Sequence, residues 1–255
     1  MTSVQLTRQQ IITALTQALE PQPFIYAMWE GGSAAFDRVD EWSDLDIQVD
    51  VADEQVARVF ELVEAALLAL SPIQQKYEVP QPTWHGHHQT FYRLENASPF
   101  LIVDLAVMKH SSTQKFIERE RHGKALVVFD KANVINPPPL DQAAHLQELH
   151  ASLNQLEQRF EMFHNLAEKE IYRKNAIEAV VFYQAFVLRP LVEVLRMKYK
   201  PDRFDYGPRY LKYDLPVEVF QSLERLYLAI ALDDLLPAHI FACDWFRQTA
   251  AELHS

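Results

Sequence analysis

Two aspartates one residue apart, Asp44 and Asp46, are the most chemically informative pair in the sequence. They flank Leu45 where an alternating apolar and polar stretch begins. On a strand, alternate side chains share a face, so both carboxylates project together while Leu45 turns to the core. Carboxylates held side by side repel each other unless a cation joins them. Hard oxygen ligands of this kind suit Mg²⁺, completed by water and a substrate phosphate. Upstream lies Gly31-Gly32-Ser33. Paired glycines let backbone N–H groups come close to a ligand. Ser33 is expected to open a short helix, whose N-terminal N–H groups attract phosphate. A third carboxylate, Asp104, interrupts the apolar run 101–107. A charge there is costly to bury without a partner. A metal, or a hydroxyl to be deprotonated, would supply one, so Asp104 is both a candidate ligand and a candidate general base.

Other reactive residues carry weaker signals. His85 and His87 would share one face of a strand, as zinc ligands can. No matching Cys or acid sits nearby, so polar sheet residues at the mouth of the site are the favoured interpretation, with Gln89 and Tyr92 following. Arg159 and His164 have a spacing found in some helical ribonucleases, and solvated helix positions explain it as well. In the second half, Arg173, Lys174, Glu178, Tyr183 and Arg189 fall along helical stretches. Cations there could meet a leaving pyrophosphate, and Glu178 could meet an amine. A salt-bridged surface is the commoner meaning. The segment 203–210, rich in Arg and aromatic residues, is either a substrate lid or packing for the end of a bundle.

Elements must hold these groups in place. Apolar residues recur at helical spacing over residues 5–20 and 54–70. Strand patterns cover 24–29, 45–51, 84–94, 100–108 and 125–129, which together predict a mixed sheet flanked by helices. Asn136-Pro137-Pro138-Pro139 can continue neither helix nor central strand and is expected to be a rigid connector. Beyond it, helical periodicity runs over 140–171, over 176–199 with a kink at Pro190, and over 217–232 and 237–253, separated by a loop at 200–216. Short links favour an antiparallel bundle. The fold class is therefore α/β plus all-α, in two domains at 1–136 and 140–255.

Composition narrows the function. With 255 residues the chain can bury one large core or two small ones. Its formal charge of −11 argues against a stable nucleic-acid partner, since gripping a phosphate backbone takes an excess of Lys and Arg. An acidic protein suits a cationic small molecule. A single cysteine, Cys243, excludes an intrachain disulfide and fits the cytoplasm. No run is long and apolar enough for a bilayer, and Met1 to Gln10 lacks the features of a secretory signal.

The combination of Gly32-Ser33, Asp44-Leu45-Asp46 and Asp104 resembles the signature of the polymerase-beta-like nucleotidyltransferase superfamily. The helical second half further resembles the antibiotic nucleotidyltransferases of aminoglycoside type. The resemblance implies a catalytic domain at 1–136 and a substrate domain at 140–255. It also implies an enzyme that moves a nucleoside monophosphate from a triphosphate, with ATP the expected donor, to a hydroxyl of a small acceptor. Mg²⁺, two ions, would be held by Asp44, Asp46 and Asp104. Phosphates would lie on Gly31, Gly32 and Ser33, and Lys174 and Glu178 are candidates for binding the acceptor. Transfer to a protein or RNA, as in toxin-antitoxin relatives, is the alternative. In some members a second subunit completes the site, so an oligomer is compatible with the resemblance.

Overall fold

Residue chemistry sets the first helix before any packing does. In the computed structural model, which describes residues 5–254, α1 (Arg8–Leu19) begins at Thr7. The Thr7 side chain accepts from the Gln10 N–H, and the Gln10 side chain reaches back to the Thr7 N–H. Such a box is worth about 1 kcal/mol. Part of the polar segment Met1 to Gln10, residues 1–4, lies outside the described residues.

Six strands follow the alternation of their side chains: β1 (Ile25–Glu30), β2 (Leu45–Val51), β3 (Ile73–Glu78), β4 (His88–Leu94), β5 (Ile102–Lys109) and β6 (Leu126–Asp130). Their order in the sheet is β3-β4-β5-β2-β1-β6. β2 and β5 are parallel, and the other neighbours are antiparallel. The parallel pair needs a long crossover. The segment containing α2 (Val56–Leu70), β3 and β4 provides it. Ile11, Leu15 and Leu19 of α1 pack with Val59, Val63 and Leu67 of α2 against Leu45, Ile47, Val49, Val103, Leu105 and Val107 of the sheet. On the opposite face a smaller cluster centres on Ala27, Trp29 and Met108. Asp46 and Asp104 lie on that face, beside Ala106 and Phe91.

Three elements of this unit differ from the sequence expectation. β3 was not expected: five of its six residues are exposed, so it shows no alternation. The strand expected over 84–94 begins only at His88. A short helix, α3 (Arg119–His122), precedes β6.

The chain divides into two compact units after Leu140, and residues 136–140 carry neither helix nor strand. The second unit is helical: α4 (Gln142–Phe163), α5 (Asn165–Tyr172), α6 (Ala176–Tyr183), α7 (Arg189–Tyr199), α8 (Leu211–Asp214), α9 (Val217–Leu228) and α10 (Leu232–Leu253). In place of a simple kink at Pro190, a single π turn (Gln184–Leu188) joins α6 to α7. Proline has no N–H to donate and its ring crowds the carbonyl four residues back, which accounts for the wider turn before it. α10 starts five residues before Pro237 and runs through it. The 200–216 segment is not a bare loop. Wholly buried Arg196 donates from Nε to the Gly207 carbonyl at 2.6 Å and from Nη1 to Asp214 Oδ2 at 3.0 Å, and it also bonds the carbonyls of Arg203 and Arg209. These bonds identify the segment as packing for the end of the bundle.

Candidate metal and nucleotide site

The site begins with a register. In the parallel pair, Asp46 of β2 lies directly opposite Asp104 of β5. Adjacent strands lie about 4.8 Å apart, so the two carboxylates are neighbours on the same face. Leu45 and Ile47 on one strand and Val103 and Leu105 on the other turn fully inward, as the alternation requires. Both aspartates are half-buried, and Asp44, one residue ahead of β2, is exposed.

β1 ends against this pair. The Gly31 N–H donates to the Asp46 carbonyl at 2.9 Å, which places the next residue beside the Asp46 side chain. Gly32 is left-handed, with φ +54°, and a Cβ there would lie 1.8 Å from Asp46 Oδ2. Only glycine leaves room for the carboxylate. Ser33 follows in the right-handed region, φ −61° and ψ −31°. This left-right alternation makes an anion-binding concavity of successive N–H groups. Among the described residues, the N–H groups of Gly32, Ser33 and Ala34 make no backbone hydrogen bond. The Ser33 hydroxyl is buried and also has no partner among them. The expected helix after Ser33 proves to be a single 3₁₀ turn (Ala34–Phe36). Its three residues have no useful dipole, which leaves the N–H concavity of Gly32 and Ser33 as the anion-attracting feature.

Arg8 closes the other side. Its guanidinium bonds the carbonyls of Ser43 and Asp44 and the carboxylate of Glu30. Burial raises the Glu30 pKa above the ordinary carboxylate range, Arg8 opposes that, and the nearby Asp46 charge adds to it. Arg8 thus anchors the turn that leads into β2. Sequence reasoning missed both Arg8 and Glu30, because one salt bridge between a helix start and a strand end leaves no spacing signal.

On the third side, Gln89 of β4 donates from Nε2 to Asp104 Oδ1 at 2.7 Å. His85 and His87 sit in the turn before β4, so they do not line a strand face as a ligand pair. Their rings stack at 5.4 Å, and Phe116 meets both edge-on. Burial, then the charges of His85 and Lys115, lowers His87 to about 4.

The donor set fits a hard divalent cation. Among the described residues no group of three or more His, Cys, Asp or Glu side chains is placed to hold a metal ion, so Asp44 does not join Asp46 and Asp104 in a three-carboxylate cluster. Mg²⁺ is usually held by one or two carboxylates and completed by water and substrate phosphates. Asp46 and Asp104 could supply such a pair, with room kept beside Asp46 by Gly32.

No family model matches the chain, and no curated protein does. Several solved structures match it over most of its length at low identity. The spectinomycin adenyltransferase AAD(9) of Enterococcus faecialis, solved with ATP and spectinomycin, is 12% identical at a TM-score of 0.37, covering 95% of this chain and 100% of that one. The GLD-2/RNP-8 complex is 14% identical at 0.30, over 92% and 78%. A Helicobacter pylori protein described as a "putative nucleotidyltransferase" is 14% identical at 0.28, over 95% and 98%.

The remaining sequence candidates lie in the second unit. Lys174, with φ +56°, ends the turn between α5 and α6, and Glu178 is in the first turn of α6; both are exposed. Arg173 pairs with Glu170. Arg159 pairs with Glu193, and the His164 Nδ1 bonds the Phe160 carbonyl, so both members of the ribonuclease-like pair have structural partners. Among the described residues no helix is long and apolar enough to cross a membrane.

Proposed function

We propose that this protein is a nucleotidyltransferase that moves a nucleoside monophosphate, AMP from ATP, to a hydroxyl of a small acceptor. One observation supports it above the rest: Gly32 leaves space for the Asp46 carboxylate where any side chain would collide, while Asp46 faces Asp104 across the parallel strands. That arrangement concentrates negative charge beside a concavity of N–H donors. Apposed carboxylates and N–H donors suit a cation and a polyphosphate bound together.

Asp46 and Asp104 would hold Mg²⁺, which supplies charge neutralisation on the triphosphate when bound. Gly32 and Ser33 cradle the phosphates through their N–H groups, and the Ser33 hydroxyl adds a donor. Asp104 takes the proton of the acceptor hydroxyl. The freed oxygen bonds to the α-phosphorus, the bond to the bridging oxygen of the β-phosphate breaks, and pyrophosphate leaves. The protein contributes position and electrostatics. A net charge of −11 favours an amine-bearing acceptor.

Incubation with Mg²⁺ and α-labelled ATP tests this directly. A panel of amine-bearing polyols and a cell lysate serve as acceptors in parallel. Label in the small-molecule fraction, lost in Asp46→Asn and Asp104→Asn, is the expected result. Label on a protein or RNA band would move the assignment to a macromolecular acceptor. Equal label with and without the two aspartates would refute the proposed site.

A further inference from the structure

We infer that Gln89 is a positioning residue for Asp104 and that His85 fixes which end of the Gln89 amide faces it. This rests on the proposed base role of Asp104. A glutamine amide has a donating end and an accepting end of nearly equal shape, so only its neighbours determine its sense. Toward Asp104 the donor is required, and Nε2 lies 2.7 Å from Oδ1. Toward His85, Gln89 Oε1 lies 3.2 Å from Nε2. That contact holds the amide in one sense only if His85 carries its proton on Nε2.

The turn before β4 imposes that tautomer. The His87 backbone N–H donates to His85 Nδ1 at 3.1 Å. A backbone N–H can only donate, so Nδ1 must accept and the proton sits on Nε2. The Thr83 hydroxyl, 3.3 Å from Nδ1, has already given its hydrogen to the His87 carbonyl at 2.6 Å and does not compete. Ring contacts hold the imidazole plane. Trp84 meets it edge-on at 5.1 Å, Phe116 at 5.8 Å, and His87 stacks on it at 5.4 Å. The order is therefore His87 N–H to His85, His85 to Gln89, and Gln89 to Asp104. The bond from Gln89 to Oδ1 restrains rotation of the Asp104 carboxylate. The register makes this contact: Gln89 pairs with Ala106, so its side chain reaches diagonally to the residue two positions back on β5.

Metal-free, ¹⁵N-labelled protein gives a readout that needs no turnover. The Gln89 side-chain NH₂ pair is identified by its absence in Gln89→Leu. In the wild type it should lie away from the position of free glutamine, and Asp104→Asn and His85→Ala should each move it back. A pair already at the free position, or one unmoved by His85→Ala, would overturn the relay. With MgATP and whichever acceptor is labelled, Gln89→Leu should lower kcat about tenfold at unchanged KM for ATP. His85→Ala should lower it less, and the double variant should match Gln89→Leu alone; additive losses would show that His85 acts by another route. The two layers fail separately. Wild-type turnover in Asp104→Asn would remove the proposed base, whereas a dead Asp104→Asn beside a fully active Gln89→Leu would remove only the relay.

Discussion

Replacing Gly32 by alanine separates a backbone cost from a chemical one, because the molecule contains its own control. Gly32 and Gly207 are both left-handed, at φ +54° and +58°. An alanine at either position costs about 1–2 kcal/mol for its Cβ in that region. At Gly207 the added Cβ meets nothing within 4 Å, so the backbone term is the whole effect. At Gly32 the same Cβ lands 1.8 Å from Asp46 Oδ2 and 2.3 Å from its Cγ. Those atoms belong to the end of a half-buried side chain, which can rotate away for about 1 kcal/mol of rotamer strain. Urea denaturation should therefore place the two variants within roughly 1 kcal/mol of each other. Function should separate them widely. A carboxylate displaced by an ångström or more loses on the order of 100-fold in rate. Isothermal titration of Mn²⁺ with a non-hydrolysable ATP analogue should show a matching loss for Gly32→Ala and none for Gly207→Ala. If Gly32→Ala binds and turns over like Gly207→Ala, the Asp46 carboxylate is not held for a ligand by this glycine.

Three further substitutions probe the surroundings. Asp46→Asn removes one of two apposed carboxylates, and a thermal melt should show Mg²⁺ raising the wild-type Tm more than the variant's; equal shifts would contradict a cation at this pair. Arg8→Leu leaves Glu30 buried beside Asp46 without its cation, and should cost about 3 kcal/mol by urea denaturation. Adding Glu30→Gln should restore part of that, and an undiminished loss in the double variant would place the role of Arg8 at the Ser43 and Asp44 carbonyls alone. His87 is lowered from 6.5 to about 4, so the unfolded chain binds its proton first. The stability this contributes is complete above pH 6.5 and is lost as pH falls through about 4, at most about 3 kcal/mol. Between pH 7 and pH 4, His87→Leu should therefore lose less stability than the wild type, and parallel losses would contradict a buried neutral imidazole.

The sequence displayed the two halves of this site unequally, for physical reasons. Asp44-Leu45-Asp46 was legible because strand alternation is a local rule: Leu45 is fully buried, so the Asp46 carboxylate must point the other way. The Gly31-Gly32-Ser33 turn was legible as glycine chemistry, and its form differed: the N–H concavity comes from a left-right backbone pair, with only a three-residue 3₁₀ turn behind it. β3 was illegible because an exposed edge strand buries almost nothing and needs no alternation. His85 and His87 were assigned to a strand because β propensity continues back through Trp84, yet the turn there is closed by side-chain bonds to the Thr83 hydroxyl and the His85 ring that periodicity does not register. Arg8, Glu30 and Gln89 reach the aspartates only through tertiary pairing.

Parallel pairing of β2 with β5 is the step that joins these pieces. In a parallel pair, residues at the same height point to the same face, so one register assignment brings Asp46 and Asp104 together and carries Gln89 to Asp104 from the next strand. A one-residue slip of β5 would send Asp104 into the apolar layer with Val103 and Leu105 reversed to the outside. That slip would bury a carboxylate and expose two large apolar side chains, so the core itself enforces the register the chemistry needs. The energetic guarantee for the site is thus the hydrophobic layer under α1 and α2, which contains none of the reactive residues.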